Sequence, residues 1–354
     1  MTSSVPFCRP DSAPASALTV ARLLREAADS NKFLLAESVA ALERALCERT
    51  GWAFAAACAS HAGALILAGR ALGVRRGDRV AVLALSSPAV PVALRRLEAV
   101  QIPLDVTGPQ AGPDPAAAQL AVREGAVGFI VSHPLAVPVP LAPLAGAVRG
   151  RGTPVLEDLS DVRGAALTGD LDGPRGDAAV IDLSPGGPLG TVGEAAAVLT
   201  NDPDVDRICR RLRNHGQDPG RRFLHYEVGY NLRMDEIVAG SAVEALTMLT
   251  AQRHRGEIAA WYARLLPRAP AIVLPALAGL SAPDAYVVLA PDRDDLRADL
   301  DAHGIEARPR DLMALPGAPR AADLDRQQLA LPLHAALSAA DAQRVAEQVV
   351  SHYA

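Results

Sequence analysis

Apolar positions in this chain recur at two spacings. Ser38 to Arg49 (SVAALERALCER) and Ala62 to Leu72 carry them three and four apart, as an amphipathic helix does, and Gly73 closes the second stretch as a C-terminal cap. Arg79 to Leu85 (RVAVLAL) is a continuous apolar run and predicts a buried strand, and Pro88 to Val100 returns to helical spacing. Short apolar strands are predicted at Ile102–Val106, Val127–Val131 and Pro154–Leu156, with helical stretches between the later ones. Ala178–Leu183 and Ala195–Thr200 add two more around a Gly/Pro loop, and Pro134 to Pro143 reads as a proline-rich loop. Strand and helix in alternation predict an α/β domain with a mainly parallel sheet.

After Asn201 the pattern changes. A helix runs to about His215, a polar, Arg-rich loop follows from Gln217 to Phe223, and a long helical segment spans Met234 to Leu266. A strand at Tyr286–Ala290, a helix at Asp292–His303, a short strand near Ile305 and a last helix from Ser338 then predict a small α+β domain. The expected division is residues 1–240 for the large domain and 241–354 for the small one.

The length of 354 residues suits one large and one small domain. Half the residues are hydrophobic but only 3% are aromatic, so the core must be built mostly from Ala, Leu and Val. A net charge of −5 without any Lys/Arg run argues against nucleic acid and anionic membrane surfaces as partners. Basic charge is carried by arginine, and Lys32 is the single lysine. Cys8, Cys47, Cys58 and Cys209 are scattered without a CxxC, so neither a disulfide framework nor a zinc site is expected. The eight histidines show no HxxxH or HxH spacing, and no metal is expected. No basic-then-apolar leader and no apolar run of membrane-spanning length occurs, so a soluble cytoplasmic protein is expected.

Five segments carry more specific information: RALGVRRGDRVAV (70–82), VLED (155–158), PLGTVGEAAAVLTND (188–202), LRNHGQDPGRRFLHYEVGYNLRMDEI (212–237) and LALPLHAALSAADAQRV (329–345). Together, in order and over nearly the whole chain, they resemble the DegT-type (DegT/StrS) sugar aminotransferases, a branch of the fold-type I pyridoxal phosphate (PLP) enzymes. The resemblance implies the PLP-transferase fold, a large mainly parallel-sheet domain with a small C-terminal α+β domain, and a homodimer with its sites at the subunit boundary.

PLP chemistry needs a lysine amine to form an imine, a carboxylate to keep the pyridine nitrogen protonated, and amide and hydroxyl donors for the phosphate. The family's lysine lies in a loop that reads Pro185-Gly186-Gly187-Pro188-Leu189-Gly190 here, which places Gly187 at the lysine position. Its phosphate-binding Ser-Gly-Thr reads Ser60-His61-Ala62 here. A family serine aligns with Asp182, the stacking aromatic with Ser87, and a glutamine near the ring hydroxyl with Asp161. Asp158 matches the pyridine-nitrogen carboxylate, and Asn231 and Arg233, after Tyr230, match an element that reaches the neighbouring subunit's site in the family. Retaining that pair also serves a dimer interface, and Asp158 also reads as an acid capping backbone at a strand end.

These substitutions predict a chain without PLP, and hence not a transaminase. His61, Asp158, Asp161 and Asp182 would surround the former cofactor pocket as candidate catalytic groups, with clustered carboxylates raising one another's pKa. One reading is a cofactor-free acid–base enzyme (dehydration, isomerisation or cyclisation of a small molecule) in sugar or secondary-metabolite biosynthesis. The competing reading is decay of an idle cavity, leaving a non-catalytic partner of a pathway enzyme. A dehydratase using pyridoxamine phosphate is a third, set against the altered phosphate cradle.

Overall fold

The computed structural model describes residues 4–8, 17–108, 112–148, 152–171, 176–186, 189, 191–218, 220–221, 223–249, 254–277 and 279–354. The chain begins with α1 (Ala17–Ser30), α2 (Glu37–Thr50), β1 (Phe54–Cys58), α3 (His61–Ala71), β2 (Arg79–Leu83), β3 (Leu85–Ser86), α4 (Ala89–Arg96), β4 (Val100–Leu104), α5 (Pro115–Arg123), β5 (Ala126–Ser132) and α6 (Ala142–Val148). It continues with β6 (Val155–Asp158), α7 (Arg163–Thr168), β7 (Ala178–Asp182), β8 (Ala196–Thr200), α8 (Pro203–Leu212) and α9 (Glu236–Met248). The last part holds α10 (His254–Leu265), β9 (Tyr286–Leu289), α11 (Arg293–Ala302), β10 (Met313–Ala314), α12 (Pro319–Gln327), β11 (Gln328–Leu331) and α13 (Ala339–His352).

Seven strands form one sheet in the order β1-β8-β7-β6-β5-β2-β4. Neighbours from β7 to β4 are parallel, and β8 alone runs opposite, antiparallel to both β7 and β1. The expected mainly parallel α/β sheet is present. Both faces are covered, which is why its strands read as unbroken apolar runs. One face holds a cluster of small aliphatics with α3 and α4, including Leu65, Leu67 and Leu94; another sets α2 and α9 against β1, β7 and β8 through Leu42, Leu46, Ala242 and Leu246. A separate cluster gathers Tyr262, Tyr286, Leu296, Leu300 and Val345 from α10, β9, α11 and α13.

Several boundaries differ from the sequence reading for identifiable reasons. The helix expected to reach Val100 stops at Arg96, because Glu98 takes a left-handed φ of 56° and Val100 starts β4. The helical segment expected from Met234 to Leu266 is two helices, α9 and α10. A division at residue 240 cuts through α9, yet Ala239, Ala242, Ala245 and Leu246 all pack on the large core, whereas Ile258 of α10 packs in the small one. Val5 also belongs to the small core and bridges Ile305, which is a single β-bridge instead of a strand. The proline-rich loop gives way to helix at Ala142.

The motif ending in Glu236 has a structural task. Its buried carboxylate accepts the backbone amides of Ala36 (2.7 Å), Ser38 (2.7 Å) and Val39 (3.1 Å), satisfying the otherwise orphan donors that open α2. Gly164 is dictated by close approach: a Cβ there would lie 1.7 Å from the carbonyl oxygen of Ala282, so α7 meets the 281–284 segment backbone to backbone.

Candidate active site

Ser132, Asp158 and Asp182 end three neighbouring strands, β5, β6 and β7, and so share the carboxyl edge of the parallel sheet. That edge is where open α/β sheets place ligands. β1 runs in the same direction as β7, so the loop Ala59–Ser60 delivers the N-terminus of α3, and with it His61, to the same edge. Ser60 caps α3, its Oγ accepting the amide of Gly63 (3.2 Å).

His61 and Asp158 meet. The imidazole Nε2 lies 3.0 Å from Asp158 Oδ1 and 2.9 Å from Ser160 Oγ, while Ser160 donates to the same Oδ1 through its hydroxyl (2.6 Å) and its amide (3.2 Å). The other oxygen, Oδ2, accepts Ser132 Oγ at 3.4 Å. Asp158 is only 2% exposed, and every oxygen it has is engaged by protein. Burial opposes charge on His61, but the carboxylate of Asp158, helped by Asp182 and Asp161, outweighs it and lifts the imidazole to about 9. Burial likewise works against ionised Asp158, yet His61 and Ser160 hold it below the usual carboxylate range. The pair is an imidazolium–carboxylate at neutral pH. Nδ1 of His61 has no hydrogen bond among the described residues.

The carboxylates were expected to raise one another's pKa. They do not stand as a like-charge cluster, because each faces a cation or an amide. Asp161 pairs with Arg310 from the small domain. Asp182 accepts the amide of Ser184 (3.0 Å) and lies 3.9 Å from Arg163 Nη1. Arg163 in turn donates through Nε to Asp284 (2.9 Å), whose second oxygen takes the amide of Gly164 (2.8 Å). Arg163, Asp284, Ser160 and Arg310 were not anticipated from the sequence. Arg163 lay within reach, five residues after Asp158 and therefore on the turn that leaves the same strand end.

The remaining residues divide. Ser87 opens α4, its Oγ accepting the amide of Ala89 (3.3 Å). Tyr230 is half-buried, and its carbonyl accepts the amide of His215 (2.9 Å). Exposed Asn231 accepts two hydrogen bonds from Arg233 (3.1 and 3.0 Å), and neither residue contacts the His61–Asp158 pair among the described residues. Leu232 between them ties this segment to the site's edge, its carbonyl accepting the amide of Ala59 (3.1 Å). Gly187 lies outside the described residues. On the other side of β6, buried His133 donates from Nε2 to Glu157 (3.0 Å) and accepts the amide of Val139 at Nδ1 (2.8 Å), so both ring nitrogens are engaged within the packing. Among the described residues no group of three or more His, Cys, Asp or Glu side chains is arranged to hold a metal ion, and no helix is long and apolar enough to cross a membrane.

The profile of the DegT/DnrJ/EryC1/StrS aminotransferase family matches residues 17–350. The chain is 28% identical to the pleiotropic regulatory protein of Geobacillus stearothermophilus over 94% of each protein. It is 29% identical to the dTDP-3-amino-3,4,6-trideoxy-alpha-D-glucose transaminase of Streptomyces venezuelae, over 93% of this chain and 90% of that protein. Among solved structures, S. venezuelae DesV in complex with a ketimine intermediate matches with a TM-score of 0.87 at 26% identity, covering 99% of both chains. The chain belongs to the DegT/DnrJ/EryC1/StrS aminotransferase family of fold-type I PLP enzymes.

Proposed function

We propose that this family member works without PLP, as an acid–base enzyme of sugar or secondary-metabolite biosynthesis that dehydrates, isomerises or cyclises a small molecule, and that it acts as a homodimer. The residues present do not fit the cofactor. The only lysine, Lys32, is exposed between α1 and α2 and ion-paired with Glu37, and the position that the resemblance assigns to the imine-forming lysine is Gly187. Asp158, the carboxylate that the resemblance assigns to the ring nitrogen, is already saturated by His61, Ser160 and Ser132. The hydroxyl of Ser60 is turned back to cap its own helix. A carboxylate at Asp182 would oppose a phosphate dianion.

The observation that carries the reading is the buried His61 imidazole held 3.0 Å from the carboxylate of Asp158. Asp158 stabilises the charge from one side through Nε2, and Nδ1–H is left as the proton a substrate oxygen can take. A donor lifted to about 9 remains charged at neutral pH and recovers its proton readily. The test is incubation with PLP and with pyridoxamine phosphate, followed by gel filtration, spectroscopy and borohydride reduction. No bound cofactor and no reduced adduct is the expected result. An adduct mapped to any residue of this chain overturns the proposal.

A second reading, a non-catalytic partner of a pathway enzyme, is favoured by Phe223, Leu224, Tyr226 and Val228, which stand exposed on one loop. Co-purification with an active family member whose activity depends on this chain, and on those four side chains, would select it.

A further inference from the structure

Where α7, α10 and the small domain meet lies a cavity of about 110 Å³ whose lining includes Arg163, Arg255, Arg310, Asp284, His334 and Leu331. Three guanidinium groups face one carboxylate. Arg163 pairs with Asp284 at 2.9 Å and lies 3.9 Å from Asp182, which stands outside the cavity lining. Arg310 is matched by Asp161 outside the cavity lining. Arg255 is 4% exposed, and its hydrogen bonds go only to the carbonyls of Pro283 (2.9 Å) and Asp284 (2.6 Å); no carboxylate bonds to it among the described residues. Burial pushes this guanidinium down to about 10; the nearby Asp284 carboxylate offsets part of the fall, and Arg163 and Arg310 add to it.

Donors are in surplus as well. A guanidinium has five N–H groups. Arg310 uses one on Asp161, and its Nε is buried without a partner among the described residues. Buried cations and donors of this kind are costly unless something meets them.

We propose that this cavity binds a carboxylate group of the substrate, held by Arg255 and Arg310 with Arg163 alongside. The assignment rests on the acid–base reading above and narrows it to carboxylate-bearing substrates. The guanidinium that no carboxylate hydrogen-bonds and the unused N–H donors beside it suit an anionic group, and paired N–H donors match the two oxygens of a carboxylate. Whole-ligand pockets run to roughly 300–1,000 Å³, so this cavity takes one functional group and leaves the rest of the molecule outside. Arg310 and Arg163 each reach an acid of the site, Asp161 and Asp182, so a carboxylate anchored here directs the body of the substrate toward His61.

The full-length protein is titrated with acetate and, separately, with inorganic phosphate at constant ionic strength in chloride, with thermal unfolding and calorimetry as readouts. Saturable stabilisation by acetate is expected, with at least tenfold weaker binding in Arg310→Gln. Arg310→Gln is preferred because this arginine is partly exposed and holds no backbone carbonyl, and an unchanged far-ultraviolet spectrum confirms its fold. Arg310→Lys should retain part of the affinity. Absence of saturable acetate binding, equal binding by Arg310→Gln, or binding of phosphate alone would each overturn the carboxylate assignment. PLP uptake with acetate binding intact would instead remove the cofactor-free reading and leave the subsite standing.

Discussion

The buried ion pair makes a quantitative claim about stability. A histidine held at about 9 in the folded chain, against an ordinary 6.5, keeps its proton over a range in which the unfolded chain has lost it. Stability from this group is therefore complete below pH 6.5 and declines as pH rises, until it is gone above about 9. At about 1.4 kcal/mol per tenfold change in proton affinity, the whole span is worth about 3 kcal/mol. That figure belongs to the pair, so Asp158 adds no second allotment on the alkaline side. Asp158 acts at the other end: held below its usual 3.8, it contributes stability above that pH and loses it as pH falls through the folded value.

The assay is urea unfolding at half-unit steps from pH 6 to 8.5. The upper limit matters because Cys58 and Cys209, pushed up by burial, bring their own alkaline loss once unfolded thiols titrate near 9. His254, raised by Glu257, slopes the same way, so the comparison with variants is decisive. The wild type should lose about 2 kcal/mol or more across this range. Asp158→Asn keeps the shape but removes the charge, so burial should then hold His61 neutral and most of the slope should vanish. His61→Gln should flatten it too. A wild type whose stability is level from pH 6.5 to 8.5, or an Asp158→Asn protein with the original slope, would show that His61 is neutral when folded and would remove the proton donor assigned to it.

Two further expectations concern the frame that holds the site. Gly164→Ala places a methyl 1.7 Å from a carbonyl oxygen of backbone that cannot rotate away; a loss of about 3 kcal/mol or more in urea unfolding is expected, and wild-type stability would contradict the contact. Glu236→Ala leaves the amides of Ala36, Ser38 and Val39 without their acceptor; a cost of about 2 kcal/mol is expected, with faster hydrogen exchange confined to the first turn of α2.

The sheet was readable because covered parallel strands leave apolar runs, as at Arg79–Leu83 and Ala126–Ser132. β1 escaped because FAAAC is alanine-rich and carries no period that separates strand from helix. β10, α12 and β11 escaped because they are short and decided by tertiary pairing, β10 against β3 and β11 against β9. Within the site, alignment to the family motif placed His61 and Asp158 around the former cofactor pocket, and the structure brings these two into contact. It gave no sign of Arg310, which comes from the far end of the chain, 149 residues after Asp161. Pairing across that distance is set by how the small domain seats on the large one, and no local pattern records it.

Decay and repurposing of a cofactor pocket differ in what they do with charge. When a cavity falls idle, isolated acids in it are expensive, and the economical outcomes are solvation or replacement by apolar residues. Here three acids at the sheet edge have separate basic neighbours: Asp158 has His61, Asp161 has Arg310 and Asp182 has Arg163, the last at a looser 3.9 Å. Arg163 is shared with Asp284, whose other oxygen fastens α7 to the small domain. Removing one partner of such a pair leaves the other buried and unpaired at a cost of several kcal/mol, so the set constrains itself. Asp284 also lies beside Arg255, so four acids face four basic groups, and Arg255 differs in that its hydrogen bonds go to backbone carbonyls and to no carboxylate among the described residues. Acids that each keep a basic neighbour are the pattern that the proposed repurposing requires, and random accumulation of polar residues gives no reason for the matching.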